Sequence, residues 1–515
     1  MLCFTDLPVD IHHQIIFHLE SNRDVAAFSS QCGALHSLCD MSNRKKYRRV
    51  RITPSIADLD RAFQMLIDIL RKPSLGCYVR HIEYKQTVSR YREYVVKPYG
   101  GKLSKEDMRL LRSATRRAGF TGALEERVFN MLMRESVVRD GVFDAFSETR
   151  APATYVTQAL TALLISVSPN LESMAMMPTF YIDLQEPTDE SFLRSECPLD
   201  LLLRETNDNL VDKPYLQNLR RVYIINHGDD YFDDGRFYVA MDLIGCLAII
   251  RNLPSLEWIG ADALTEDDDG MPTLEAKSSN VSRIAIHHSS VDSQYLITII
   301  RSCRVLKEFE YSIGGRVVEG GNPIFNPKTF ILSVLEHKAT LEKLDLDVEA
   351  QIFGFIYPSS RVFNFDGQGA RAEARAYWPE PPPDSFWDQR GSLKDFEALK
   401  RLSIGVNFLL YFAAGVNNDN ENKSVSLVEY LPPNLEYLCI RGYEKGKSKH
   451  NDAQIDALKA LVESGSTSLK EIHGVDECIP NAENVENPDN YPELLWRLRD
   501  GWSDEEDSED DEDEK

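Results

Sequence analysis

The sequence predicts a mixed α/β fold, with a small all-α module at the N-terminus followed by an irregular solenoid of αβ units. Three observations predict it. An apolar residue, another three later and another two after that recur along most of the chain. Stretches of helical apolar spacing precede many of these units. Residues 7–39 carry two short amphipathic helices separated by Ser21-Asn22-Arg23.

The N-terminal module rests on helix geometry. At about 100° per residue, positions 8, 11, 15 and 19 fall within one ~80° arc, flanked by Leu7 and Ile16. Pro8 suits a first helical turn, where its missing N–H costs nothing. Asp10 adds negative charge at the positive end of the helix dipole. Asp24 is placed to cap a second helix carrying Val25, Phe28 and Cys32. About forty residues make a small core, so such a module gains from docking onto a partner.

The repeating pattern follows. It reads Val79-Ile82-Tyr84, Leu171-Met174-Met176, Leu219-Val222-Ile224, Leu256-Ile259-Ala261 and Val281-Ile284-Ile286. It continues as Leu306-Phe309-Tyr311, Leu341-Leu344-Leu346, Leu399-Leu402-Ile404, Leu435-Leu438-Ile440 and Leu469-Ile472. The last two residues of each full unit alternate like a short strand with one buried face. Helical spacing is read at Thr157–Val167, Tyr238–Arg251, Gln294–Arg301, Phe330–Glu336 and Ala453–Glu463. Long intervals mark insertions. Residues 86–146 form a charged excursion with helices expected at Glu106–Ala118 and Glu125–Met133. Residues 183–214 read as polar and loop-rich. Residues 352–391 hold a proline run bracketed by Tyr377, Trp378, Phe386 and Trp387. Aromatics on such a loop more often fold back onto the core; the alternative makes Trp378, Phe386 and Trp387 candidate target-binding residues, because exposed aromatics anchor interfaces. The expected domains are therefore 1–45 for the helical module and 46–480 for the repeats. Residues 481–502 form a C-terminal cap with Leu494, Leu495, Leu498 and Trp502 close together. Residues 503–515 form a disordered acidic tail.

The opening segment resembles the F-box. That family's pattern begins with Leu-Pro and an acidic residue before Ile, continues with Ile and Leu at four-residue steps, then an acidic-hydrophobic pair and a Cys. Leu7, Pro8, Asp10, Ile11, Ile15, Leu19, Asp24, Val25 and Cys32 stand at those places. Asp10 replaces the usual Glu, Val25 the usual Leu, and Gly33-Ala34-Leu35 the usual basic, tryptophan-containing stretch. Tyr47–Ile52 looks like the run that follows the box in fungal relatives. The units behind it resemble degenerate, insertion-rich leucine-rich repeats. The resemblance implies a substrate-recognition subunit of a Skp–cullin–F-box ubiquitin ligase. Leu7, Pro8, Ile11, Ile15, Leu19 and Val25 would contact the Skp adaptor and, through it, the cullin. The repeats would hold an unknown protein substrate, and catalysis would belong to partner enzymes. The alternative is a leucine-rich-repeat scaffold with no ubiquitin role.

Composition narrows the remaining classes. The net charge is −24, of which residues 503–515, with ten acids and one Lys, contribute −9 and leave −15. An acidic chain is poorly suited to general nucleic-acid binding. The basic run Arg44, Lys45, Lys46, Arg48, Arg49 and Arg51 reads as a solvated face. No apolar stretch approaches the ~20 residues that span a bilayer, so no membrane partner is expected. Nine cysteines without a Cys-x-x-Cys pair fit reduced thiols in the cytoplasm or nucleus. No nucleophile elbow, phosphate loop or His-Glu-x-x-His is present, so neither an enzyme nor a cofactor is expected. His12, His13 and His18 point in different directions on a helix, and His287-His288 reads as a surface pair, so no metal is expected. Glu266–Gly270 reads as a solvated acidic turn. Ser503 and Ser508 precede acids at the spacing acidophilic kinases favour.

Overall fold

All ten apolar units form strands, in the order and at the places the pattern sets. The computed structural model describes residues 7–19, 22–86, 101, 103–134, 152–179, 197–225, 238–265, 274–314, 325–349, 368–377, 381–417 and 426–482. The chain divides into two compact units. One comprises 1–182, 187–220 and 253–255; the other comprises 183–186, 221–252 and 256–515. The division falls inside the 46–480 stretch expected as a single repeat region.

The first unit begins with helices α1 (Val9–His18), α2 (Asn22–Ser29), α3 (Gly33–Cys39) and α4 (Met41–Arg48). Three parallel strands follow: β1 (Arg49–Ile52), β2 (His81–Tyr84) and β3 (Ser173–Met176). Val50, Ile82 and Met174 are in register, as are Ile52, Tyr84 and Met176. All six are buried. Parallel neighbours need a crossover, and helices fill it. Helix Ile56–Arg71 starts where the Ser55 hydroxyl accepts the Asp58 N–H at 3.1 Å. It buries Leu59, Phe63, Leu66 and Leu70 at helical spacing. Helices Lys105–Arg117 and Ala123–Met133 match the two expected in the 86–146 excursion. The loop-rich expectation for 183–214 fails over Pro198–Asp208, while 183–196 lie outside the described residues. Pro198–Asp208 is a helix with Pro at its start, and it buries Leu199, Leu202, Leu203 and Thr206. Their i, i+3, i+4, i+7 spacing is a helical face that the intervening polar residues disguise.

The second unit contains β4 (Arg221–Ile224), β5 (Val239–Ala240), β6 (Trp258–Asp262), β7 (Leu264–Thr265), β8 (Arg283–His287) and β9 (Glu308–Ser312). It continues with β10 (Lys343–Asp347), β11 (Arg401–Gly405), β12 (Tyr437–Arg441) and β13 (Glu471–His473). β5 and β7 form a small two-stranded parallel sheet of their own. The other eight form a parallel ladder in chain order. Val222, Ile259, Ile284, Phe309, Leu344, Leu402, Leu438 and Ile472 make one cross-strand row. Ile224, Ala261, Ile286, Tyr311, Leu346, Ile404 and Ile440 make a second. A strand points alternate residues to opposite faces, so both rows share the helix-covered side. Phe309, Phe325, Phe330, Phe408 and Phe412 form a chain of ring contacts between strands and helices, with successive centroids 5.3–6.2 Å apart.

The helices of this ladder begin at polar caps that satisfy otherwise orphaned N–H groups. Asp292 accepts from Tyr295 N at 2.7 Å and Asn326 from Thr329 N at 3.1 Å. Helix Val406–Ala414 has a remote cap: Glu349 Oε1 accepts the Asn407 and Phe408 N–H groups at 3.1 and 3.0 Å. Helices Ser293–Ser302, Pro327–Leu335 and Lys449–Glu463 fall where expected. Tyr238–Arg251 does not form one helix; only Leu243–Ala248 is helical, because Val239–Ala240 pairs with β7. No described helix is long and apolar enough to cross a membrane. The 483–502 part of the expected cap, the 503–515 tail with Ser503 and Ser508, the 266–270 turn and Trp378 lie outside the described residues.

Candidate functional site: the N-terminal helices and the outer strand face

Pro8 stands at the head of α1, where its carbonyl accepts Ile11 N–H at 3.0 Å and His12 N–H at 3.2 Å. Leu19 ends the helix in extended backbone. α2 begins at Asn22, so Asp24 lies in its first turn and supports the dipole instead of capping it. Asp40 joins α3 to α4 in the left-handed region, at φ +50°. Its carboxylate accepts from Asn43 Nδ2 at 3.0 Å and from the Tyr78 hydroxyl at 3.4 Å. Arg44 donates to Cys39 O at 2.8 Å and lies over the Tyr78 ring. These contacts anchor α4 to the segment that precedes β2.

The module closes its own core around Ile16, Val25 and Cys39, with Leu19, Phe28, Leu38 and Met41 packed against them. Burial raises the Cys39 thiol pKa. The apolar arc of α1 is wider than this core uses. Ile16 and His12 face inward and are 3% exposed. Pro8 is exposed, Ile11 is 40% exposed, and Leu7 and Ile15 are half-buried. Val9, not anticipated from the sequence, is 54% exposed. On the wheel, Pro8, Ile11 and Ile15 span about 60° beside the inward line. Two expected docking residues sit elsewhere. Val25 is 1% exposed and belongs to the core, and Leu19 packs on that core.

The candidate target-binding aromatics are corrected more sharply. Phe386 and Trp387 are 2% and 6% exposed, in a short helix spanning Asp384–Trp387. Their rings meet edge-on at 5.0 Å, and the Arg301 guanidinium lies 5.0 Å from the Phe386 centroid. Burying two large rings outweighs leaving them on a loop.

The polar groups worth attention lie on the outer face of the second unit's strands, opposite the helices. Lys343 Nζ meets Glu310 Oε1 at 2.7 Å, and Arg283 meets Glu308 at 3.2 Å. His287 Nε2 is 3.6 Å from Glu310, and His288 Nδ1 is 2.9 Å from Asp262 Oδ1. Burial lowers the His287 pKa, with Glu310 opposing. Arg441 Nη1 holds Asp345 Oδ1 at 2.8 Å, and its Nε is 3.6 Å from Asp347. Burial pushes the Asp347 carboxyl up to about 6, against the Ala482 N–H and Arg441. Sequence reading missed this face. Aligning the units would have found it: Asp262 and His287 each lie six residues after their unit's first apolar residue and pair across β6 and β8. The pair is thus joined to acids on neighbouring strands, which local spacing does not reveal. Among the described residues no group of three or more His, Cys, Asp or Glu is arranged to hold a metal ion. The arrangement is a row of charge pairs and hydrogen-bonding groups across neighbouring strands.

Comparison with known proteins adds no relative: no protein-family model matches the chain, and a search of curated proteins finds no match.

Proposed function

We propose that the chain is the substrate-recognition subunit of a Skp–cullin–F-box ubiquitin ligase. The observation that carries this reading is the free flank of α1. The module completes its own core with Ile16, Val25 and Cys39, yet leaves Pro8, Val9 and Ile11 in solvent. Apolar side chains clustered beyond a closed core are what a docking surface requires. In this reading the flank meets the adaptor, and the ordered row of parallel strands is a leucine-rich-repeat-like solenoid. Its outer strand face would hold the target. The chain contributes effective concentration and orientation, and the chemistry belongs to its partners.

The test uses residues that the core does not need. Ile11→Asp in the full chain is expected to reduce co-purification of the Skp adaptor at least about tenfold, equivalent to about 1.4 kcal/mol. Its unfolding midpoint should match that of the unaltered chain. Undiminished adaptor recovery would sink the reading. The rival is a repeat scaffold with no ubiquitin role, favoured by the inward placement of Leu19 and Val25. It predicts no adaptor recovery from either chain.

A further inference from the structure

After β13 the chain crosses back over neighbouring strand ends of the second unit. Gly474 makes the turn at φ +78°, where a Cβ would collide with the carbonyl oxygen of Ile440. Ile479 then forms a parallel bridge with Arg441 at the end of β12, and its carbonyl accepts the Gly442 N–H at 2.8 Å. Three residues on, the Ala482 N–H donates to Asp347 Oδ2 at 2.8 Å, at the end of β10. Between them lies β11, whose Gly405 pairs with Arg441 and presents no side chain. Residues 479–482 therefore form a strap from β12 to β10 over the C-terminal ends of three strands.

The strap satisfies its site incompletely. The Asp347 side chain is 5% exposed, and its Oδ1 has no hydrogen-bond partner. Asn481 Oδ1, on the strap itself, is also buried without one. Arg441 divides its guanidinium between Asp345 and Asp347. A buried acceptor left empty is unfavourable, so an occupant that fills it binds better than one that does not.

We propose that Asp345, Asp347, Arg441 and Gly442 form a docking site for an extended peptide segment, and that residues 479–482 fill it in the free chain as a displaceable stand-in. The fitting partner offers a carbonyl to the Gly442 N–H and a backbone N–H to Asp347 Oδ2. It adds what the strap lacks, an Asn, Gln or Arg side chain donating to Asp347 Oδ1. Calling that partner a ligase target rests on the function proposed above; the exchange of strap for peptide does not.

The experiment keeps the full chain. Hydrogen exchange should show the Gly442 and Ala482 amides opening about a hundredfold faster than the interior amides of β11 and β12. A fluorescent peptide with the sequence of residues 475–490 is then titrated against two chains. The Ala482→Pro chain, whose strap has lost its donor, should bind it at least about tenfold more tightly than the unaltered chain, where the site is occupied. The peptide carrying the same Ala482→Pro change should bind neither. Preserved β11 and β12 protection verifies that the variant is folded. Equal binding by the two chains, binding by neither, indifference to the change in the peptide, or strap amides as slow as the ladder would each overturn the proposal. Adaptor recovery from both chains is a separate arm. Its loss with peptide exchange intact would sink the ligase reading and leave the docking site standing.

Discussion

The N-terminal helices and the strand ladder of the second unit solve the same problem with opposite results. In the ladder, each unit has an open edge that the next one covers. Leu344 is flanked by Phe309 and Leu402 in register, and all three are fully buried. The four short helices have no repeating neighbour. Their core forms around Ile16, Val25 and Cys39, and apolar side chains of α1 remain outside it. Stacking consumes apolar surface in proportion to the number of units. A module of about forty residues has more apolar arc than core, and the excess stays exposed on α1.

The contrast can be broken or sharpened by measurement. The largest effect is expected in the ladder. Phe309→Ala removes a fully buried ring that meets Phe330 at 5.7 Å. It should cost about 3–5 kcal/mol in urea unfolding. A loss under about 1 kcal/mol would mean the row is loosely packed. A smaller effect is expected in the module. Ile16→Val should cost about 0.5–1.5 kcal/mol, while Ile11→Val should stay within about 0.5 kcal/mol. Equal losses at the two positions would remove the distinction between core side and free side.

The third prediction concerns pH. His337 is 4% exposed and links successive units. Its Nε2–H donates to Ile300 O at 3.1 Å, and its Nδ1 accepts the Leu306 N–H at 3.3 Å. The Leu306 contact requires the neutral ring, because a protonated Nδ1 cannot accept. Burial lowers its pKa from the ordinary 6.5, with the Ile300 carbonyl opposing. The unfolded chain therefore takes up this proton at a higher pH than the fold does. The contribution is present above 6.5 and is lost as pH falls through the folded value. Comparing unfolding free energies at successive pH values should show this slope, and His337→Gln should remove it. An unchanged slope in that variant would assign the acid sensitivity elsewhere.

Legibility followed how local the signal was. The ten apolar units were readable because a short buried strand writes its alternation into three or four residues. Helices at Lys105–Arg117 and Ser293–Ser302 were readable by the same logic at a longer period. Helix Pro198–Asp208 was not, because its apolar face is narrow and the charged residues around it read as loop. The fate of Phe386 and Trp387 was illegible for another reason. A loop aromatic carries the same letters whether it meets solvent or Arg301, and only tertiary packing distinguishes the two.

The amino-acid order alone determined that this is a chain of αβ units behind a short helical module, since period and spacing are properties of neighbouring residues. It also determined the apolar character of α1. Tertiary structure decided which side of that helix stays free, because burial depends on what α2 and α3 bring to it. It likewise decided that Asp262 faces His288, and that Ala482 reaches Asp347 from 135 residues away. Contacts between distant segments depend on strand register and chain reversal, and no local pattern encodes those.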